Sequence, residues 1–263
     1  MKPVAKRKVK DVFMTGSART IVITGASKGM GRALAVGFAN DGYTVFGAAR
    51  DARALDQTAE LCSPGRFHGR ALDVSNAREV AGWIDEIESS QGKVDVLICA
   101  AAVYPRAYFL DQSAEDWDEV LRINVGGVAN ACRAVLPGML ARRRGRIVVV
   151  GSMADMHPVA GSSAYSVSKG ALHPLTRAIA AEINTAHYPD VWIAEYLPPA
   201  TISGMSDMGV TPDYHYPVVK ALAEGATHAR SGGSFKPEGE MFLDPSPKSV
   251  LRNLKRRLFS KGR

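Results

Sequence analysis

Six short, β-branched segments alternate with helical segments along most of this chain, and this alternation limits its fold more than any other feature. Several of the predicted strands lack apolar–polar alternation, which is expected of strands buried on both faces. They are TIVITG (20–25), YTVFGAAR (43–50), RFHGRALDV (66–74), VDVLICAA (94–101), GRIVVVGS (145–152) and VWIAEYLP (191–198). Between them, helices are predicted at 30–40, 52–62, 76–90, 113–141 and 164–186.

Repeated strand–helix units favour a parallel sheet with helices on both faces, the doubly wound, Rossmann-like α/β class. The chain has 263 residues, enough for one substantial core, and no long linker or internal repeat. We therefore expect a single domain over 18–247. After Pro199 the pattern becomes irregular: we expect a loop at about 200–230 with a helix at 217–229, and then a short strand within EGEMFLD, whose apolar run is 241–243.

The net charge of +7 comes from the two ends of the chain. Residues 1–10 and 248–263 carry twelve cations and no acid, so the rest of the chain has a net charge of −5. A nucleic-acid-binding fold is therefore not implied. We expect residues 1–17 to be a flexible basic extension, with Met14 as an alternative start. We expect 248–263 to be a solvated basic helix rather than a membrane-surface one.

The composition also excludes several classes of protein. No run of 18 uncharged apolar residues is present, so no membrane span is expected. The N-terminus lacks an apolar signal core, which favours a cytoplasmic protein. Cys62, Cys99 and Cys132 match no metal or redox spacing and are expected to be buried thiols, and no metal site is predicted.

The stretch ITGASKGMGRALAVGF (23–38) places a glycine-rich loop between the first strand and the first helix. Its spacing, G-x-x-x-G-x-G, is neither a P-loop nor the common G-x-G-x-x-G fingerprint. At the carboxyl edge of a parallel sheet, such a loop lets backbone N–H groups and a helix N-terminus approach a phosphate. A tight turn with packing glycines is the alternative. The candidate nucleotide-binding residues are Gly25, Ser27, Lys28, Gly29, Met30 and Gly31.

The end of the second predicted strand indicates which nucleotide this loop would prefer. An acid at this position would bind a ribose 2′-hydroxyl, but the strand ends with the neutral Ala48 and Ala49, followed by Arg50. Lys28 can approach the same region, and two cations favour a 2′-phosphate, hence NADP over NAD. Asp51 opens the next helix and is expected to point away.

AYSVSKGAL places Tyr165 and Lys169 on one face of a helix, thirteen residues after Ser152 at a strand end. A neighbouring ammonium favours phenolate, so Lys169 is expected to lower the pKa of Tyr165. Tyr165 would then serve as a general acid toward a carbonyl oxygen, with Ser152 donating to the same oxygen. Because Y-x-x-x-K is a common spacing, the pair taken alone would indicate a packed Tyr and a surface Lys; its place after a strand-end Ser, in a chain that opens with a glycine-rich loop, favours the catalytic interpretation.

Taken in order, these motifs resemble the short-chain dehydrogenase/reductase family over about residues 18–205. TGASKGMG (24–31) resembles the family's glycine loop, and LDV (72–74) its adenine-contacting segment, which implies binding by Asp73 and Val74. INVGG (123–127) supplies the family's catalytic Asn as Asn124. The resemblance implies that Asn124, Ser152, Tyr165 and Lys169 form a catalytic tetrad, that Lys169 also binds the nicotinamide ribose, and that the reaction is NADP(H)-dependent.

The chain departs from the family pattern in three places. CAAA (99–102) replaces N-N-A-G, leaving backbone contacts from Ala100 and Ala101. Pro198-Pro199 replaces P-G, with nicotinamide contacts expected from Pro198, Thr201 and Ser203. The family's last strand has no good match, so we expect a homodimer through the helices at 113–141 and 164–186 rather than a tetramer.

The residues beyond the strand ends suggest a small, apolar carbonyl or alcohol substrate. Ordinary packing is the alternative for each of them, and the two histidines among them are expected at the surface or in loops. The pocket candidates are Tyr104, Phe109, Met153, Met156, His157, Met205, Met208, Tyr214, His215 and Tyr216. Two other functions stay open: a nucleotide-binding scaffold with little turnover, and a binding protein that acts through its basic ends.

Overall fold

A single eight-stranded sheet organises the protein, with strand order β3-β2-β1-β4-β5-β6-β7-β8. We describe it from a computed structural model, over residues 19–183, 187–225 and 231–241. The strands are β1 (Thr20–Thr24), β2 (Thr44–Ala49), β3 (Phe67–Ala71), β4 (Val96–Cys99), β5 (Arg144–Val150), β6 (Asp190–Tyr196), β7 (Ser234–Lys236) and β8 (Gly239–Met241). Every neighbouring pair is parallel except β7 and β8. The predicted doubly wound, Rossmann-like class is confirmed.

Helices cover both faces of this sheet. They are α1 (Gly29–Asn40), α2 (Ala52–Glu60), α3 (Ala77–Gln91), α4 (Ala114–Leu121), α5 (Gly127–Ala141), α6 (Ser163–Gly170), α7 (Leu172–Glu182) and α8 (Tyr216–Glu224). The strand order reverses between β1 and β4, so a crevice opens at the carboxyl ends of these two strands.

The strands alternate between two apolar layers, as a sheet covered on both faces requires. In β1, Val22 packs into the layer under α3, α5 and α7, whereas Ile21 and Ile23 pack under α1, α2 and α8. All three side chains are fully buried. This double burial explains why several strands read as unbroken apolar runs.

Two predicted helices are interrupted in the structure. The segment predicted at 113–141 contains a π-helical turn at Arg122–Gly126, between α4 and α5. The segment predicted at 164–186 breaks at Ala171 between α6 and α7, because Pro174 has no N–H to donate back across the break. Its last residues, 184–186, lie outside the described part of the chain.

The C-terminal part differs most from the prediction. Ser234–Lys236 forms β7 beside β6, a strand that the sequence analysis did not predict. The strand expected in EGEMFLD is β8, Gly239–Met241. Helix α8 ends at Glu224 because Gly225 adopts a left-handed φ of 73°. The remaining predictions lie outside the described residues: the basic extension at 1–17, the end of the helix at 226–229, the apolar residues 242–243 and the basic helix at 248–263.

The three cysteines are buried and carry no disulfide, as expected from their spacing. Within 19–183, 187–225 and 231–241, no helix is both long enough and apolar enough to cross a membrane.

Candidate active site

The glycine loop lies between β1 and α1, held against the ends of β2 and β4. The N–H of Gly25 donates to the Ala48 carbonyl at 2.7 Å, and Gly25 has a φ of +77°. A Cβ built on Gly25 would lie 2.6 Å from the Ala101 nitrogen. A Cβ on Gly31 would lie 2.8 Å from the carbonyl carbon of Gly25 and overlap its oxygen. The loop and the first turn of α1 therefore form a backbone cradle that side chains at these positions would fill.

Helix α1 begins at this cradle with its N-terminus facing the crevice. Its N-cap, Lys28, makes no side-chain capping hydrogen bond, and its side chain is 71% exposed. Ser27 and Met30 are half-buried beside it. Ser203, from the loop after β6, approaches closely enough that its Cβ would lie 3.3 Å from a Cβ built on Gly29. The free N-terminus is suited to an anion.

The two cations predicted to read a 2′-phosphate each face a carboxylate. Lys28 Nζ lies 3.9 Å from Asp51 Oδ2, and Arg50 Nη1 lies 3.1 Å from Glu119 Oε1. The expectation that Asp51 points away is wrong: as N-cap of α2 it accepts from the Ala54 N–H and still reaches Lys28. Both pairs are solvent-exposed and thus weak, so a phosphate could displace them.

The segment after β3 is fixed by a small polar network. Asp73 Oδ1 accepts from the N–H and hydroxyl of Ser75, and Arg122 Nη1 lies 3.5 Å from Asp73 Oδ2. Partial burial raises the pKa of Asp73, but these hydrogen bonds and the Arg122 charge outweigh it, and the pKa is lowered. Val74 is buried, and its carbonyl accepts from Asn130 Nδ2.

The altered CAAA segment still joins β4 to β1 through its backbone. The N–H of Ala100 donates to the Thr24 carbonyl, and that of Ala101 to Thr24 Oγ1. These bonds place both alanines at the rim of the glycine loop.

Ser152, Tyr165 and Lys169 come together at the carboxyl end of β5. Ser152 lies two residues beyond the end of β5 and hydrogen-bonds Tyr165, and Lys169 Nζ donates to the Val150 carbonyl at 2.8 Å. Lys169 is 4% exposed, and its Nζ lies 5.8 Å from the centre of the Tyr165 ring. The packed-Tyr, surface-Lys alternative is wrong for Lys169.

The pKa of Tyr165 differs from the sequence expectation. Burial raises it, the hydrogen bond with Ser152 lowers it, and the nearby Tyr104 raises it further, with a net increase. The expected lowering by Lys169 does not dominate, and the Lys169 ammonium donates to the Val150 carbonyl. Burial lowers the pKa of Lys169 itself to about 8, although the negative charge of Glu195 raises it.

Asn124 is fully buried in the π-helical turn, where the wider helix directs its amide inward. Its Oδ1 accepts from the Val103 N–H, and its Nδ2 donates to the Val103 carbonyl and to Ser168 Oγ. Since Ser168 Oγ donates to the Tyr165 carbonyl, Asn124 is linked to the backbone of the helix that carries Tyr165 and Lys169.

A buried histidine fixes the loop after β6. His215 is fully buried; its Nδ1 lies 2.8 Å from Tyr196 Oη and its Nε2 lies 2.8 Å from Thr201 Oγ1. Thr201 donates its proton to the Pro199 carbonyl, so Nε2 must donate to Thr201 and Nδ1 must accept from Tyr196. The expectation of a surface or pocket-lining His215 is wrong, because both nitrogens hold neighbouring segments together. Pro198 is half-buried beside them.

This arrangement requires a neutral imidazole and makes stability depend on pH. Burial lowers the pKa of His215 below 6.5, although the charge of Asp213 opposes it. Because the folded pKa is depressed, His215 contributes full stability above pH 6.5 and less as the pH falls toward its folded pKa. We expect the Tm of the protein to fall more steeply below pH 6.5 than that of His215→Gln, whose amide does not titrate. Equal slopes in pH-dependent calorimetry would contradict this.

The pocket candidates divide into three groups. Tyr104 stacks on Tyr165 with ring centroids 4.4 Å apart, which places it at the reacting group. Tyr216 is elsewhere: it packs edge-on against Phe38 and donates to Asp41, so its assignment to the pocket is wrong. The other candidates are half-buried or exposed in the loops after β4, β5 and β6: Phe109, Met153, Met156, His157, Met205, Met208 and Tyr214.

One charged group near the site, Glu195, was not predicted from the sequence. Glu195 is 1% exposed in β6 and is one cause of the Lys169 pKa. The signal was a lone acid within the apolar run VWIAEYLP.

Comparison with known families identifies the class of protein. The profile described as short chain dehydrogenase matches residues 19–208. The chain therefore belongs to the short-chain dehydrogenase/reductase family of oxidoreductases, as its motifs implied.

Curated relatives match about two thirds of the chain. Oxidoreductase UcpA of Escherichia coli is 36% identical over 168 residues, 63% of this chain and 64% of UcpA. The NADPH-dependent pterin aldehyde reductase of Arabidopsis thaliana is 37% identical over 169 residues, 64% of this chain and 70% of that protein. The matched region spans only 28% of the probable oxidoreductase EphD of Mycobacterium tuberculosis, at 35% identity over 63% of this chain.

Solved structures agree with the fold. A metagenomic short-chain oxidoreductase in complex with NADP gives a TM-score of 0.70 at 29% identity, covering 78% of this chain and 90% of that one. A short-chain dehydrogenase/reductase from Mycobacterium marinum gives 0.76 at 25% identity, covering 84% and 93%.

Proposed function

We propose that this protein is an NADP(H)-dependent oxidoreductase that interconverts a small, apolar ketone or aldehyde and the corresponding alcohol. The observation that carries the proposal is the meeting of Ser152, Tyr165 and buried Lys169 at the sheet edge that also holds the glycine cradle. A hydroxyl donor and a phenol proton beside a nucleotide site suit the reduction of a carbonyl group.

The cradle fits a dinucleotide. Gly25 and Gly31 leave space that any Cβ would fill, and the uncapped N-terminus of α1 faces it. When bound, the nicotinamide would supply or accept the hydride. The residues proposed to hold the dinucleotide are Gly25, Ser27, Lys28, Gly29, Met30, Gly31, Arg50, Asp73, Val74, Ala100, Ala101, Tyr165, Lys169, Pro198, Thr201 and Ser203.

Tyr165 is the proposed proton donor. Its raised pKa keeps the phenol protonated at neutral pH, so Tyr165 holds the proton that a carbonyl oxygen would take up, but as a weaker acid than a free phenol. Ser152, already hydrogen-bonded to Tyr165, can donate to the same oxygen as its negative charge develops. Tyr104, stacked on the Tyr165 ring, would hold the phenol in place and cover an apolar substrate.

Lys169 and Asn124 support this donor. With a pKa of about 8, Lys169 can hold or release a proton close to neutral pH, which suits a group that resupplies Tyr165. Asn124 would keep the helix of Tyr165 in register through Ser168. We also propose homodimerisation through 113–141 and 164–186, on the resemblance, and a cytoplasmic location, on the three unpaired cysteines.

The preference for NADP depends on Lys28 and Arg50. It is supported by the neighbour solved with NADP and the NADPH-dependent relative. We expect the double variant Lys28→Ala, Arg50→Ala to lose about 10-fold or more in NADPH affinity, since each charge-assisted phosphate contact contributes about 1 kcal/mol or more. NADH affinity should change little.

Fluorescence titration with both nucleotides measures this preference. Asp51→Asn is the matched test of the opposing carboxylate: removing the acid beside Lys28 should strengthen NADPH binding and leave NADH binding nearly unchanged. Equal affinities for NADPH and NADH in the unmodified protein would refute the preference.

A further inference from the structure

A buried carboxylate lies behind the groups proposed for proton transfer. Glu195, 1% exposed, stands in β6 directly opposite Val149 of β5. A Cβ built on Gly151 would lie 2.8 Å from Glu195 Cδ and closer still to Oε1. Gly151 lies between Val150 and Ser152 in the chain, and the Val150 carbonyl accepts a hydrogen bond from Lys169. The Glu195 carboxylate thus lies beside the stretch of backbone that binds Lys169 and carries Ser152.

Two neighbouring elements hold this carboxylate. Ser234 of β7 donates its hydroxyl proton to Glu195 Oε2 at 2.9 Å. His173 of α7 places Nδ1 at 2.9 Å from Ser234 Oγ and 3.4 Å from Glu195 Oε2. Because the Ser234 proton is directed at the carboxylate, the His173 Nδ1–H must be the donor to Ser234. Within the described residues, buried His173 Nε2 and Thr176 Oγ1 have no hydrogen-bond partner.

The site surrounds Lys169 with few charges. The titratable groups that raise its pKa are Glu195 from β6 and Cys99 from β4; the Tyr165 ring centre lies 5.8 Å from Lys169 Nζ, and His173 of α7 faces Glu195. An ammonium this deeply buried is unstable without an opposing charge. Glu195 is the stronger of the two groups that favour the charged form, ahead of Cys99.

We propose that Glu195 is a positioning residue whose negative charge, held by Ser234 and His173, keeps Lys169 an ammonium close to neutral pH. The consequence for turnover rests on the proposed function, because it requires Lys169 to resupply the proton of Tyr165. The effect on Lys169 itself does not depend on turnover.

The charge of Lys169 can be measured without nucleotide. In the full chain labelled with ¹³Cε-lysine, the NMR signal of Lys169 is assigned by its loss in Lys169→Met, and its titration midpoint is compared between variants. We expect Glu195→Gln to lower this midpoint by about 1 pH unit, since removal of an opposite charge disfavours the ammonium. Glu195→Asp, which retains the charge, should restore most of the difference.

Matched variants guard against a merely structural effect. Glu86→Gln removes an exposed carboxylate that pairs with Arg70 and should leave the midpoint unchanged. If Glu195→Gln does not fold, the double variant Glu195→Ala, Gly151→Ala is measured instead. The methyl group added at residue 151 fills space that the Glu195 carboxylate occupied. A folded, carboxylate-free variant with the unmodified midpoint would overturn the inference.

Turnover separates this inference from the proposed function. If carbonyl reduction is observed, its decline at alkaline pH should begin at a lower pH in Glu195→Gln. A shifted Lys169 midpoint in a protein without turnover would support the role of Glu195 and reject the function. An unshifted midpoint in an active protein would reject the role of Glu195 alone.

Discussion

Tyr165→Phe is expected to lower the kcat for carbonyl reduction by about 10²–10⁴-fold, the usual contribution of a general acid. The variant loses only the hydroxyl that bonds Ser152, and the ring can keep its stacking on Tyr104. Binding of NADPH should therefore weaken far less than turnover. Steady-state kinetics on a substrate found for the unmodified protein, with a nucleotide titration beside it, gives both quantities.

Tyr188→Phe is the matched control for this change. Tyr188 precedes β6 at the amino edge of the sheet, opposite to the proposed site, and contacts Arg143. The same loss of a hydroxyl there should leave kcat close to that of the unmodified protein. If Tyr165→Phe retained full turnover, proton donation by Tyr165 would be ruled out.

Gly31→Ala should abolish most nucleotide binding and also destabilise the fold. Gly31 has ordinary helical geometry, so the cost comes from contact: its new methyl group would overlap the Gly25 carbonyl oxygen. Overpacking of this kind costs about 1–3 kcal/mol. Because the loop and α1 must separate to relieve it, we expect the Kd for NADPH to rise by about 10–100-fold, at about 1.4 kcal/mol for each factor of ten.

Gly82→Ala makes the same substitution where nothing opposes it. Gly82 lies on the exposed face of α3, and a Cβ there meets no atom within 4 Å. This variant should bind NADPH normally and gain about 0.5–1 kcal/mol of stability, because Ala favours the helix. Calorimetry and nucleotide titration of both variants test the comparison, and normal binding by Gly31→Ala would show that the cradle is not the nucleotide site.

The fold could be predicted because its strands are buried on both faces. Six apolar, β-branched runs separated by helical segments leave few alternatives to a parallel, doubly wound sheet. What could not be predicted depends on single contacts. SFK forms β7 by pairing with the edge of β6, and the π-helical turn at Arg122–Gly126, in which Asn124 is buried, has no signal in the periodicity of the sequence.

The candidate site, too, could be predicted from the sequence only in part. Ser152, Tyr165 and Lys169 were predictable because strand ends share one edge of a sheet and residues four apart share one face of a helix. Charges across elements were not: Asp51 reaches Lys28, and Glu195 acts on Lys169 from a neighbouring strand. His215 was misread for the same reason, since its partners lie 14 and 19 residues away in the sequence.

The most direct test is nucleotide-dependent turnover by the full chain. NADPH binding is first measured by fluorescence, and a panel of apolar ketones and aldehydes is then added at saturating NADPH, with the alcohols and NADP⁺ tested in the reverse direction. We predict that NADPH binds more tightly than NADH, and that at least one pair is interconverted by the unmodified protein and not by Tyr165→Phe. Tight NADPH binding with no turnover in either direction would contradict the account and favour a nucleotide-binding scaffold.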